Sequence, residues 1–151
     1  MDQVTTLATP DVRPMVPVEL TVYAFQVPNT DEVLFAIGDG KGSGKKLPPG
    51  VTRKGNTLEF KAVGGTLNME LDDQTDDFKL EFRTADPIWS AIGTDCPSTS
   101  GNAWLPKVSC SKHRLSITNA GGQNSYGFAL WFVSKNGRPD QCFDPIIKNI
   151  L

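Results

Sequence analysis

Hydrophobic and polar residues alternate along much of this chain with a period of two. In Val18–Val27, Val18, Leu20, Val22 and Ala24 share one face, while Glu19, Thr21, Tyr23 and Phe25 share the other. Alternation with β-branched residues predicts a half-buried strand, because successive side chains of a strand point to opposite faces. Val33–Ile37 is a short apolar run after the Pro28–Asp31 turn and predicts a second strand. Thr57–Val63 and Thr66–Leu71 alternate again, and the Gly64-Gly65 pair between them predicts a tight hairpin. Phe78–Phe82 and Arg114–Thr118 complete the alternating set. No stretch carries the 3.6-residue period of an amphipathic helix.

The aromatic stretch Tyr126–Val133 breaks this pattern. Tyr126, Phe128, Leu130 and Phe132 fall on one face and Gly127, Ala129, Trp131 and Val133 on the other, so neither face is polar. Such a strand is central and covered on both sides. The Trp131 face therefore needs a cover: the N-terminal arm, a long loop or a second subunit. An Asn136-Gly137 turn and a short strand within Phe143–Asn149 follow as a closing hairpin.

These elements predict an all-β fold, an antiparallel two-sheet sandwich of immunoglobulin-like architecture with seven to eight strands. Residues 1–17 hold Pro10, Pro14 and Pro17 and read as an extended N-terminal arm; residues 18–151 read as one domain. Thr84–Cys110 is a long irregular loop with Trp89 and Trp104, and loops of that length are often functional.

Composition narrows the classes. Fifteen basic and seventeen acidic residues give a net charge of −2, with no basic excess to neutralise phosphates, so no nucleic-acid partner is expected. No apolar run is long enough to span a membrane as a helix. The first residues lack a basic and apolar leader, and Cys96, Cys110 and Cys142 form an odd set, which together point to a reducing cytoplasm. A Cys96–Cys110 disulfide would instead indicate an oxidising compartment.

The chemical motifs are weak. Gly38–Lys46 has glycines and lysines but lacks the spacing of a phosphate loop, and reads as an inter-strand loop. Asp72, Asp73, Asp76 and Asp77 do not match a calcium-binding loop and read as a solvated turn. Three thiols and His113 could make up a zinc set, but no knuckle spacing is present. His113 is the only histidine, which excludes a two-imidazole copper site and leaves one imidazole for any nucleophilic centre. No metal, cofactor or catalytic residue is assigned.

Near the C-terminus the sequence reads Phe143-Asp144-Pro145-Ile146-Ile147-Lys148-Asn149. With the preceding Tyr126–Gly137 hairpin, the Asp-Pro-x-Ile-x-Asn pattern resembles the DP-EP family of small bacterial proteins. That resemblance implies a small β-sandwich and no particular activity. In physical terms, Pro145 starts or edges a strand, Asp144 fixes the turn, Ile147 faces the core and Asn149 ends the pairing.

The functional expectation is a non-enzymatic binding or interaction module. Its partner would be a protein or small ligand, or a second copy paired through a sheet edge. Trp89, Trp104 and Trp131 are the candidate contact residues, because tryptophan is enriched at binding hot spots. A carbohydrate-active enzyme or carbohydrate-binding domain using the 84–110 loop, with Asp86 and Asp95, is one alternative. A structural component of a surface or secreted assembly is another.

Overall fold

A computed structural model describes residues 14–41, 46–101, 108–119 and 124–150. Among them are twelve strands and no helix: β1 (Met15–Gln26), β2 (Val33–Asp39), β3 (Val51–Lys54), β4 (Thr57–Lys61), β5 (Gly64–Gln74), β6 (Leu80–Phe82), β7 (Ile88–Ile92), β8 (Val108–Cys110), β9 (Arg114–Asn119), β10 (Ser125–Ser134), β11 (Gln141–Phe143) and β12 (Ile146–Ile150). Each alternating segment read from the sequence overlaps a strand, but Phe78 and Lys79 precede β6, and Ala62 and Val63 lie between β4 and β5. Met15–Pro17, read as the end of the arm, are extended and already belong to β1; residues 1–13 lie outside the described set.

The strands form two sheets. The first has the order β2-β1-β5-β9-β8. The second is built around β10. Tyr126 faces both Ile92 and Ile147, and Leu130 faces both Ile88 and Phe143. So β6 and β7 run along one edge of β10, and β11 and β12 along the other. β12 then pairs with β4, and β4 with β3.

Twelve strands stand where seven to eight were expected, because several pieces are only three to five residues long, and three further expectations are corrected here. The sheets are mixed rather than antiparallel, because β1 pairs with β5 and β12 pairs with β4 in parallel. Parallel neighbours need crossover connections, which period-two patterning does not encode. Gly64 and Gly65 are not a hairpin: β4 belongs to the second sheet and β5 to the first. The chain crosses between sheets at Ala62, whose φ of 55° turns it sharply. Gly65 serves close approach instead. A Cβ there would lie 2.9 Å from the Val16 carbonyl oxygen and 3.0 Å from the Phe60 ring. Finally, the 84–110 region is not wholly irregular, since it contains β7 and β8.

Residues from both sheets form one core. Val18, Leu20 and Val22 of β1 and Leu67 and Met69 of β5 meet Phe128, Leu130 and Phe132 of β10. Phe35 of β2 stacks on Phe132 and Phe143 at 4.9 and 5.4 Å between ring centroids. Fully burying each such ring contributes about 1.5–3 kcal/mol.

Asp144-Pro145 interrupts one long strand rather than starting a new one. Phe128 N donates to Pro145 O at 3.1 Å, so β11 and β12 stay in a single register along β10 on either side of the break. The proline supplies the carbonyl the ladder needs there without requiring an amide. Asn149 is buried and does not end the pairing. Its side chain accepts from Asn119 Nδ2 at 2.9 Å and donates to Asn124 O at 3.0 Å, linking the sheets.

Candidate functional site

The outer face of β10 is where the sequence demanded a cover, and the structure supplies one. Arg83 N donates to Trp131 O, and Trp131 N donates to Pro87 O, both at 2.9 Å. One residue of β10 thus faces the whole Arg83–Pro87 segment, which bulges out between β6 and β7. Asp86 adopts a φ of 55° within the bulge, a conformation aspartate tolerates better than most residues. Further along, the segment after β7 folds back over Gly127. A Cβ on Gly127 would stand 2.1 Å from Asp95 O, so only glycine allows this approach. Among the described residues, part of the long loop lies on this face.

The two described tryptophans meet here. Trp89 sits opposite Ala129, and Trp131 lies two residues along on the same face, which makes the indoles diagonal neighbours. Their ring centroids are 4.9 Å apart and the rings are tilted by 54°. Both side chains are half-buried. Ala129, fully buried beneath them, leaves the room that Trp89 occupies. Trp104 lies outside the described residues.

Polar groups fix the pair. The Arg83 guanidinium lies 4.8 Å from the Trp131 ring centroid, a cation–π arrangement. Arg83 also donates to Ala85 O, Asp86 O and Asp140 Oδ2, at 3.0, 2.9 and 3.2 Å. Trp89 Nε1 donates to Asp86 Oδ2 at 2.9 Å, and Ser100 Oγ donates to the same oxygen at 2.7 Å. The Ser100 and Trp89 bonds, helped by the Arg83 charge, hold the Asp86 carboxyl below its ordinary range. Trp131 Nε1 is buried without a hydrogen-bond partner.

The candidate chemical groups do not converge. Among the described residues no three His, Cys, Asp or Glu side chains are placed to hold a metal ion. Cys110 points to the Arg83 carbonyl at 3.8 Å, His113 is exposed on the β8–β9 turn, and Cys96 neighbours Cys142 rather than Cys110. In the acidic stretch, Asp72 and Asp73 belong to β5. Asp73 accepts from Thr75 and Leu80 N, and Asp72 pairs with Lys41. Of the Gly38–Lys46 loop, Gly38 and Asp39 end β2, and residues 42–45 lie outside the described set.

Arg83 and Asp140 were not foreseen as site residues. They are 57 positions apart and carry no local signature. The only usable signal was the doubly apolar strand at Tyr126–Val133, which located the face but not its polar rim. No family model matches the chain, and no curated protein matches it in sequence.

Proposed function

We propose that this chain is a binding module that recognises a protein partner through the Trp89–Trp131–Arg83 patch on the outer face of the second sheet. The observation that carries this reading is the composition of the patch. Tryptophan and arginine are the residue types that dominate interface hot spots, and here three of them are already packed together, with Trp89 and Arg83 also held by hydrogen bonds. A preordered anchor loses little side-chain entropy on association. The rim is acidic: Asp86, Asp95, Asp140 and Asp144 are all exposed. An aromatic centre with an acidic rim fits a partner that offers an apolar pocket bordered by lysine or arginine.

The carbohydrate-active alternative is less well supported by Asp86. A glycosidase acid needs a carboxyl held above its ordinary range, whereas Asp86 is held below it. The Asp-Pro-x-Ile-x-Asn pattern supports kinship with the DP-EP family, which we offer as part of the same proposal.

A displayed peptide library selected against the folded chain tests the reading. Enriched peptides should combine basic residues with an apolar or aromatic anchor and bind more weakly at high salt. Trp89→Ala should weaken them by roughly tenfold or more, as truncation of a hot-spot residue does. Binders indifferent to both Trp89→Ala and Arg83→Ala would sink the proposal. Binding to a glycan array that is lost in Trp89→Ala would shift the patch to the carbohydrate reading.

A further inference from the structure

We propose that the chain self-associates as a two-fold dimer, pairing the β2 edge of its first sheet with the β2 edge of a second copy. This proposal stands apart from the Trp89–Trp131–Arg83 patch, which lies on the other sheet. β2 ends the first sheet, with β1 as its neighbour there. A sheet edge offers amide and carbonyl groups to another strand, and natural edges are blunted by charge, proline or shortness. The other edges among the described residues carry such devices. β3 holds Arg53 and Lys54, β6 holds Glu81, and β8 and β11 are three residues each. At β7, Ser90 N already donates to Gly101 O at 2.8 Å. β2 differs: Val33-Leu34-Phe35-Ala36-Ile37-Gly38 contains no charged residue and no proline.

The hydrogen bonds around β2 fix which of its groups face outward. Val27 N donates to Glu32 O at 2.9 Å, so Glu32, Leu34 and Ala36 bond to β1 by the alternation of an antiparallel ladder. Val33, Phe35 and Ile37 turn their backbone groups the other way. Ile37 N accordingly donates to Asn56 Oδ1 at 3.1 Å. Asn56 thereby caps the edge at Ile37, and Val33–Phe35 lies beyond the cap. Leu34 is 52% exposed and sits directly opposite Phe25, which is 41% exposed, on the outer face of the sheet. Phe35 points inward and stacks on Phe132 and Phe143, which anchors this stretch to the core.

A second copy fits this edge because antiparallel self-pairing is self-complementary. With the two-fold axis at Leu34, Val33 of each copy faces Phe35 of the other, and the two residues exchange both backbone hydrogen bonds. The Leu34 side chains then form a close pair across the axis, flanked by the two Phe25 rings. An axis at Phe35 would set Val33 against Ile37, whose amide is already held by Asn56. Asn56 therefore selects the register. In that register Glu32 opposes Ala36, so the acidic residues Asp31 and Glu32 of the two copies do not meet. Each copy uses the same edge, so the pairing closes at two. The contact is short and belongs with weak, transient interfaces, with a dissociation constant on the order of 100 µM.

Sedimentation velocity from about 10 µM to about 1 mM, a range that brackets this constant, tests the proposal, with amide hydrogen exchange measured at both ends. The expected result is a monomer that becomes a dimer, with exchange at Val33 and Phe35 slowed only at the high concentration. Leu34→Lys sets two ammonium groups face to face across the axis and should weaken the dimer at least tenfold with the circular dichroism unchanged. Val33→Pro removes an outward amide without touching the bonds to β1 and should weaken it as well. Trp89→Ala should leave the dimer intact, which separates this proposal from the binding patch. A chain that stays monomeric throughout, a dimer indifferent to both β2 variants, or slowed exchange at another edge would each overturn the proposal. So would a monomer that instead takes up an extended peptide along β2.

Discussion

The two sheets treat their outer faces in opposite ways. On the first sheet, Asn68 Nδ2 donates to Glu19 Oε2 at 2.5 Å, Ser116 Oγ donates to Asn68 Oδ1 at 2.7 Å, and Arg114 pairs with Glu70 at 2.9 Å. This is a polar ladder across β1, β5 and β9, suited to water. On the second sheet, the outer face of β10 is Gly127, Ala129, Trp131 and Val133, and the chain folds back to cover it. An antiparallel or mixed sheet can leave one face in water only if that face is polar. The first sheet meets that condition through its sequence, and the second meets it by adding a layer. Among the described residues, this added layer is where two tryptophans and an arginine are brought together.

The comparison can be broken at graded depths. The largest effect belongs to the inner face of β10, which both sheets share. Phe128→Ala should lower the unfolding free energy by about 3–5 kcal/mol in urea titration. A loss below 1 kcal/mol would mean that the core is not centred on β10. Next is the cover. Gly127→Ala should cost about 1–3 kcal/mol through the clash with Asp95 O, and it should expose the segment after β7 to proteolysis while the first sheet stays intact. An unchanged cleavage pattern would show that the cover is not seated on β10 as described.

A smaller effect is expected at Asp86. Its carboxyl is held below the ordinary value of 3.8, so its contribution is present above that pH and is lost as pH falls through the depressed folded value. Tryptophan fluorescence followed on acidification should show a transition below the ordinary carboxylate range that Asp86→Asn removes. Persistence of the transition in that variant would assign it elsewhere. The smallest effect is on the polar ladder. Arg114→Ala should change stability by at most about 0.5 kcal/mol, because its ion pairs are exposed. A loss above 2 kcal/mol would make that ladder structural and weaken the contrast between the sheets.

The same contrast explains what could be read from the sequence. Where a strand has one wet face, as in Val18–Gln26 or Thr66–Leu71, alternation locates it and identifies its core residues. The strand β7 escaped because Trp89 and Ala91 face the added layer while Ile88 and Ser90 face inward, so no simple alternation survives. The parallel pairings were hidden for a different reason. Period two is the same for either direction, and only the crossing at Ala62 separates a hairpin from a sheet-to-sheet connection. At the site, Trp89 and Trp131 were visible as unusual residues. Arg83 and Asp140 were not, because a guanidinium reaching from one edge of β10 to a carboxylate after the other has no local pattern.

The parallel pairing of β12 with β4 also sets a schedule. Strands β3 and β4 are made early, but within the second sheet only β12 connects them to β10. During synthesis they must wait, with Leu58 and Phe60 lacking part of their final surroundings, until residues 146–150 have left the ribosome. Long-range closure of this kind is slow, and an exposed hydrophobic hairpin in the interval is a point where chaperones would be expected to act.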